Sequence, residues 1–433
     1  MRGRYFLVAG TFLLTLLLYI DRICISVAKD PIADSLNLSD AQLGWVMSVF
    51  ALGYALFQTP SGMLADRLGP RKVLTAIVCL WSLFTSLTAF AWNFASLLVI
   101  RLLFGAGEAG AFPGISRAVF SWIPLKERGT VTGINFSGSR IGAAFALPLL
   151  SVLMVNYGWK NTFLLLGIIG VAWALLWYVL FRDKPDTHPY LTAKEKAFIA
   201  ETRQQTDTAK EPINLRRVFA NRNMWLAMTQ YFCSNFTFFF ALTWLYPHIK
   251  EEFQLNSVSA GLYASLPLLA GALGNWFSGW LVDRIYKTGR WRQSRLIPAV
   301  IGFTLAAIGL FAGVFMDEVT GAVLFLSLAI FGADMTLPPS WSFCVDIGKE
   351  NSGAVSGNMN MAGNLGSFLT SLAFPYFLLW AGTVDVFFYT AATLSIVGAV
   401  VWLGMRPEKA ILMTDHRALQ QSIVQKNRLS LIK

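Results

Sequence analysis

The stretch GMLADRLGPRK, residues Gly62–Lys72, places a short run of glycines and charges between two long apolar segments. A weaker copy, GWLVDRIYKTGRWR, occupies Gly279–Arg292 in the second half of the chain. The same polar motif therefore occurs once in each half of a very hydrophobic sequence. This arrangement is typical of duplicated membrane bundles, in which each half carries the charged loop at an equivalent position.

The composition assigns most of the 433 residues to lipid. Only 14% are charged and 55% are hydrophobic, whereas about a quarter of a soluble chain is charged. A helix of about twenty apolar residues crosses the bilayer core. The sequence predicts an all-α membrane protein with twelve transmembrane helices, at approximately 6–28, 41–64, 73–92, 95–121, 129–154, 161–181, 223–249, 257–281, 294–315, 320–345, 352–379 and 384–404.

The basic residues indicate how the chain crosses the bilayer. With the N-terminus in the cytoplasm, only Lys29, Lys160 and Lys250 of the 35 lysines and arginines lie in external loops. The positive-inside rule explains this asymmetry. The net charge of +11 therefore needs no nucleic-acid partner, and both termini are predicted to be cytoplasmic.

The pattern of polar and apolar segments divides the chain into four parts. We expect a six-helix half at 1–181, a cytoplasmic linker at 182–222, a second six-helix half at 223–405 and a cytoplasmic tail at 406–433. The halves should be related by pseudo-twofold symmetry. Within the linker, Thr192–Glu195 fits a capping box that opens a short helix on the inner leaflet.

The first polar motif predicts a conformational gate. Gly62 and Gly69 permit tight helix ends and close backbone approach. Asp66 can accept hydrogen bonds from a helix N-terminus or pair with a cation. Its candidate cationic partners are Arg67, Arg71 and Arg117. Such a cluster would tie neighbouring helices together in one conformation and release them in the other. The alternative is that these charges only anchor the chain at the membrane surface.

The whole chain resembles a known family of carriers. The two-half pattern and Gly62–Lys72 resemble the major facilitator superfamily. A narrower resemblance, to the anion:cation symporter family, rests on four segments. These are LYIDR at Leu18–Arg22, RLLFGAGEAGAFP at Arg101–Pro113, FSWIPLKERG at Phe120–Gly129 and GNMNMAGNLG at Gly357–Gly366. Members of that branch move hexuronates, aldonates, aldarates and other organic anions, often with protons.

The resemblance implies a secondary transporter that imports an organic anion, a sugar acid such as a hexuronate or aldonate, by proton symport through alternating access. It implies a monomer, with no cofactor or metal and no enzymatic activity. The short first external loop, Lys29–Asp40, favours the bacterial inner membrane. Two alternatives stay open: an exporter or exchanger of another carboxylate or amphipathic anion, and a receptor that binds an anion without moving it.

Several ionisable residues fall inside predicted spans. Each costs about 2.5–3.5 kcal/mol at the bilayer centre, so it is retained for a partner, an ion path or a substrate. They are Asp21, Arg22, Arg101, Glu108, Arg140 and Asp334. Arg101 and Glu108 are seven residues apart, which is nearly two helical turns, so they should face the same way.

The resemblance matches four of these positions to substrate and proton residues. Arg22 would bind a carboxylate through its guanidinium fork, and Arg101 could assist. Asp21 and Glu108 would carry protons. The alternative is a structural ion-pair network among the same four residues, because their burial must be offset.

Further candidates for the binding cavity are less strongly determined. Arg140 could hold a second anionic group, which would favour a dianion, or pair with Glu108 or Asp334. Asp334 could be a third proton site or a partner for an arginine in the membrane. Uncharged contacts are expected from Tyr19, Tyr54 and Asn360, and Asn360 best matches the substrate-contacting asparagine of the family.

Overall fold

A computed structural model describes residues 4–204 and 214–411 of the chain. The predicted tail beyond residue 411 and linker residues 205–213 lie outside these ranges. Within them all regular structure is helical, which agrees with the predicted all-α class. A segment in lipid must satisfy its own backbone hydrogen bonds, and a continuous apolar helix does so.

The first half of the chain consists of long helices with two short ones. They are α1 Tyr5–Val27, α2 Lys29–Leu36, α3 Asp40–Leu68, α4 Pro70–Thr88, α5 Phe94–Glu108, α6 Ala111–Trp122 and α7 Arg128–Leu180. Helix α7 contains two predicted spans, since Gly158 leaves helical geometry at φ 75° and ψ 160°. The predicted external loop after the first span includes the short helix α2.

The linker contributes α8 Ala193–Thr202 and α9 Leu215–Ala220. The second half repeats the pattern of the first. Its helices are α10 Arg222–Thr243, α11 Leu245–Glu252, α12 Ser257–Tyr286, α13 Trp291–Gly313, α14 Val319–Met335, α15 Leu337–Gly348, α16 Ser352–Ala381 and α17 Asp385–Leu403. By length and composition, seven helical stretches of the described residues could cross a membrane, so the count of twelve remains a prediction.

The two halves meet along two seams. Helix α3 packs against α16 at one seam, and α7 packs against α12 at the other. At one end of the bundle lie Arg4, helix α8 and Ile411, whose backbone N–H donates to the carbonyl of Ile347. We call this end the linker face.

Two aspartates cross the seams at the linker face. Asp66, near the end of α3, accepts the backbone N–H groups of Gly353 and Ala354 at 2.9 and 2.7 Å, at the start of α16. Asp283, near the end of α12, accepts those of Gly129 and Thr130 at 2.8 and 2.7 Å, at the start of α7. Each half therefore caps a helix N-terminus of the other, where a negative charge is favourable.

A third contact between the halves is centred on Asp346, which is fully buried at the end of α15. Arg128 of the first half forms an ion pair with this carboxylate. Arg295 and Trp291 of the second half donate to it at 2.9 and 3.0 Å. The charge of Asp346 is thus shared by two buried guanidinium groups and an indole, which offsets its removal from water.

Both seams bring backbone against backbone. A methyl group added to Gly353 would lie 2.7 Å from the carbonyl oxygen of Gly62, across the α3–α16 seam. One added to Gly279 would lie 2.6 Å from the carbonyl oxygen of Gly129, across the α7–α12 seam. Because both separations are shorter than a van der Waals contact, only glycine allows the helices to approach this closely.

We expect Asp66→Asn to open the linker face more often, since it removes the charged member of a cap that joins the halves. A charge-assisted hydrogen bond contributes about 1.5–3 kcal/mol, so opening should increase roughly tenfold or more. The measurement is the alkylation rate of a cysteine introduced at Ser352, which is buried at the start of α16.

Asp283→Asn should raise the alkylation rate in the same way, because it removes the equivalent cap. Asp183→Asn is the matched control, since Asp183 of the linker accepts the N–H of Arg71 and this hydrogen bond crosses neither seam. Alkylation that stays at the wild-type rate in both cap variants would contradict the proposed role of the two caps.

Candidate functional site

A polar cavity lies between the two halves, near the middle of the bundle. Its volume is about 30 Å³, which is room for roughly one water molecule. The first half contributes Arg22, Arg140 and four aromatic side chains, and the second half contributes amides, two hydroxyl groups and apolar side chains. The polar lining residues are Tyr19, Arg22, Tyr54, Arg140, Tyr231, Ser234, Asn235, Asn360 and Asn364.

Arg22 lies on the cavity wall and is held from behind by Glu108. Its Nε donates to Glu108 Oε2 at 2.9 Å. The side chain of Glu108 is fully buried, whereas that of Arg22 is 16% exposed. The guanidinium carbon is 4.4 Å from the ring centroid of Tyr54 and 5.1 Å from that of Tyr19. Carboxylate and aromatic rings therefore fix the orientation of one cation at the cavity.

Arg140, on helix α7, lines another part of the wall of the same cavity. Its Nε and Nη2 donate to the two carboxylate oxygens of Asp334, both at 2.6 Å. Arg140 belongs to α7 and Asp334 to α14, so this bidentate pair joins the two halves. The guanidinium carbon also lies 3.5 Å from the ring centroid of Phe238. Of the two partners that the sequence left open for Arg140, the structure places Asp334 against it.

Asp21 and Arg101 lie behind the cavity rather than on its wall. Each is 4% exposed. Asp21 faces the indole of Trp81, with Glu108 and Arg101 as charged neighbours. The guanidinium carbon of Arg101 is 4.8 Å from the ring centroid of Phe104. The four predicted charges are brought together, but only Arg22 reaches the space where a ligand would bind.

The remaining predicted contacts and gate residues have separate positions. Tyr19, Tyr54 and Asn360 line the central cavity. Gly62 lies at the α3–α16 seam, and Gly69 joins α3 to α4 with a φ of 87°. The backbone N–H of Arg71 donates to Asp183 of the linker at 2.8 Å. Arg67 borders a polar cavity of about 700 Å³ at the linker face.

Asp66 makes both kinds of contact that the sequence allowed. It caps a helix N-terminus, and Arg117 Nε lies 3.8 Å from its Oδ1. Sequence reasoning missed two further carboxylates that join the halves, Asp283 and Asp346. Asp283 could have been found, because the Asp-Arg pair of the second motif copy aligns with Asp66-Arg67. Asp346 carried no comparable signal.

The chain matches the family model of the Major Facilitator Superfamily over residues 11–371. It belongs to the Major Facilitator Superfamily. The match spans both halves and the linker between them. Members of this superfamily are transporters, so the chain is a multi-pass membrane transporter and not an enzyme.

The curated relatives of this superfamily member confirm the resemblance to its organic-anion branch. The probable sulfoacetate transporter SauU of Cupriavidus necator is 34% identical over 96% of this chain and 97% of the relative. The probable galactarate/D-glucarate transporter GarP of Escherichia coli K12 is 33% identical over 86% and 88%. The hexuronate transporter of Bacillus subtilis 168 is 30% identical over 90% and 91%.

A solved structure confirms the fold. The proton:xylose symporter XylE superposes with a TM-score of 0.75 at 14% sequence identity, covering 94% of this chain and 97% of that one. At this identity the likeness shows the major facilitator fold that the sequence predicted.

The Arg140–Asp334 pair generates a stability prediction. Arg140→Ala should lower the free energy of unfolding by about 3–5 kcal/mol, because it leaves Asp334 charged and unpaired in the bundle. The double variant Arg140→Ala/Asp334→Ala should recover at least half of that loss. Thermal unfolding of the purified protein in detergent provides the measurement.

Arg71→Ala is a suitable control for this pair. Its guanidinium is more exposed and donates to the backbone carbonyl of Tyr178 at 2.8 Å, so its removal should cost about 1 kcal/mol or less. A double variant no more stable than Arg140→Ala would show that the cost comes from lost packing rather than from the unpaired charge.

Proposed function

We propose that this transporter imports an organic anion, a sugar acid, together with protons. The observation that carries the proposal is the position of Arg22, a cation on the wall of a cavity between the two halves, held by a fully buried acid. A guanidinium suits a carboxylate because both are planar and can form two parallel hydrogen bonds. The names of the sulfoacetate, galactarate/D-glucarate and hexuronate relatives support an acidic substrate.

The same pair suggests how protons and substrate are coupled. An ionised Glu108 weakens the attraction of Arg22 for the substrate carboxylate, because it neutralises the charge of the guanidinium. A protonated Glu108 gives up its charge and leaves Arg22 available. Proton uptake would therefore favour substrate binding. Asp21 lies next to this pair and would pass the proton on. Arg101 also lies next to the pair and would balance its charge.

Alternating access would expose this cavity to each side of the membrane in turn. Binding sites for small molecules usually enclose about 300–1,000 Å³, far more than the cavity between Arg22 and Arg140. A sugar acid would therefore enter only after the halves separate. The caps by Asp66 and Asp283 would break when the linker face opens. The other residues of the predicted gate surround the cap by Asp66; they are Gly62, Gly69, Arg67 and Arg71.

We further propose a monomer in the bacterial inner membrane, with both termini and the linker in the cytoplasm. The basic residues at the linker face support this orientation through the positive-inside rule. The division into halves at 1–181 and 223–405, with a linker at 182–222 and a tail at 406–433, belongs to the same proposal. Small organic anions, protons and the surrounding lipid are the expected partners, with no cofactor or metal.

Uptake of labelled glucuronate, galactonate and galactarate into proteoliposomes tests the proposal. Accumulation that requires an inward proton gradient is the expected result. Flux only in the outward direction, or only in exchange, would favour the exporter or exchanger on the same scaffold. Binding without flux would identify the anion receptor. If none of these acids binds or moves above the level of empty liposomes, the proposed substrate class is wrong.

Arg22→Ala should abolish uptake, by at least ~100-fold, because the carboxylate loses its charged partner in a site that excludes water. The initial uptake rate at a fixed proton gradient is the measurement, and size-exclusion chromatography checks that the variant folds. Arg182→Ala is the matched control, because the Arg182 side chain donates to the backbone carbonyls of Tyr178, Val179 and Phe181 and does not line the cavity. Uptake at the wild-type rate in Arg22→Ala would remove Arg22 from the substrate site.

Glu108→Gln should separate transport from the proton gradient. The amide resembles the protonated acid and leaves Arg22 free to bind substrate, so exchange of labelled for unlabelled substrate should continue. Accumulation against a concentration gradient should be lost, since the variant cannot take up and release a proton there. Accumulation that still follows the imposed pH gradient would mean that another group carries the proton.

A further inference from the structure

The central cavity holds two arginines that are built in the same way. Arg22 and Arg140 lie on its wall, while their acid partners, Glu108 and Asp334, lie behind them and outside the lining. Both acids are almost completely buried, with side chains 0% and 1% exposed. Each cation is thus neutralised from behind and directed at the cavity from the front.

Each arginine also keeps hydrogen-bond donors that its acid does not use. Among the described residues, Nη2 of Arg22 has no hydrogen-bond partner although it is buried. Arg140 bonds to Asp334 through Nε and Nη2, and within the described part of the chain its Nη1 has only the hydroxyl of Tyr19, at 3.5 Å. Buried guanidinium donors without good acceptors are costly, so both arginines are suited to a further acceptor that enters the cavity.

We propose that this transporter selects dianions, and that Arg22 and Arg140 each bind one of the two acid groups. The inference rests on the proposed function and names the substrate class for the same cavity. It assigns to Arg140 a role in specificity, because a substrate with one acid group needs only Arg22. Asp334 then positions Arg140 and is not itself a contact of the substrate.

The spacing of the two arginines suits a short molecule. Their guanidinium carbons lie 5.1 and 5.9 Å from the same ring centroid, that of Tyr19, so they are at most about 11 Å apart. In a hydrogen-bonded pair, the guanidinium carbon and the acid carbon are about 4 Å apart. Two acid groups joined by a few carbon atoms can therefore reach both arginines, with Tyr19 between them.

The rest of the cavity wall is uncharged. Opposite Arg22 and Arg140, the second half supplies the hydroxyl of Ser234 and the amides of Asn235 and Asn360. These groups suit hydroxyl groups or an uncharged carbon chain between the acids. Arginine has one of the highest free-energy costs of insertion into a membrane helix, so a second guanidinium is poorly explained by a hydroxyl ligand. Charge-assisted hydrogen bonds to a second acid group explain its presence better.

The names of the relatives include acids of both classes, and the probable L-galactonate transporter of Escherichia coli K12, 32% identical, belongs to the one-acid class. Sulfoacetate, galactarate and D-glucarate, in the names of the two relatives at 34% and 33% identity, each carry two acid groups. A hexuronate, in the name of the relative at 30% identity, carries one. The names are therefore compatible with a two-acid substrate without deciding between the classes.

A series of substrates with one carbon chain tests the inference. Galactarate, galactonate and galactitol carry two, one and no acid groups, and each competes with labelled galactarate for uptake into proteoliposomes. We expect galactarate to inhibit at a concentration at least ~100-fold lower than galactonate, because a site built for a charged group rejects an analogue that lacks it. Galactitol should not compete. Equal inhibition by galactarate and galactonate would overturn the inference.

A neutral replacement of the second pair tests its location. Arg140→Gln/Asp334→Asn removes one positive and one negative charge, so it leaves no unpaired ion behind. The preference for galactarate should fall below ~5-fold in this variant, because galactarate loses the partner of its second acid group while both acids can still reach Arg22. Arg182→Gln is the control and should keep the wild-type preference. A double variant that still prefers galactarate by ~100-fold would overturn the assignment to Arg140.

Thermal stabilisation of the wild-type protein gives a second measurement, in case the double variant does not fold. Galactarate should raise Tm more than galactonate at equal concentration. The possible failures are distinguishable. If galactonate or glucuronate is moved and stabilises as well as galactarate, the dianion inference fails and the proposed function stands. If no acid binds, is moved or stabilises, both fail.

Discussion

Two carboxylates that cap helices across the boundary between the halves join those halves at the linker face. Asp66 and Asp283 each bind two backbone N–H groups of the opposite half, and both lie in the copies of one duplicated motif. A bundle in lipid gains little from apolar contact between its helices, since lipid is equally apolar. Polar contacts at helix ends therefore carry much of the selectivity for one arrangement of the halves.

The central cavity follows from this closure. With the linker face held together, Arg140 of the first half meets Asp334 of the second, and the space between the arginines is small. The contact with Asp334 crosses the boundary, whereas the Arg22–Glu108 contact remains within the first half. Movement of the halves would therefore alter the surroundings of Arg140 more than those of Arg22. The same movement of the halves would therefore have different effects on the contacts of the two arginines.

The sequence predicted the fold class, the duplication and the charged residues that meet at the site, because these depend on composition and on local motifs. It named candidate partners without choosing between them. Arg101 and Glu108 are charged neighbours, as their spacing predicted, but the hydrogen bond of Glu108 goes to Arg22. Partners such as Arg140 and Asp334 are 194 positions apart, and helix tilt and rotation decide whether they meet. The spacing of residues along one helix contains no information about helix tilt or helix rotation.

The glycine seams have a thermodynamic consequence. Where Gly62 meets Gly353, separation exposes backbone and few apolar side chains. The same seams contain amide oxygens of Asn275 and Asn358 that have no partner among the described residues and would gain one from water. Exposure of polar surface lowers the heat capacity, whereas exposure of apolar surface raises it. Opening of the linker face should therefore change the heat capacity little. A van 't Hoff plot of the equilibrium constant for opening should be nearly straight, whereas the plot for unfolding should be curved.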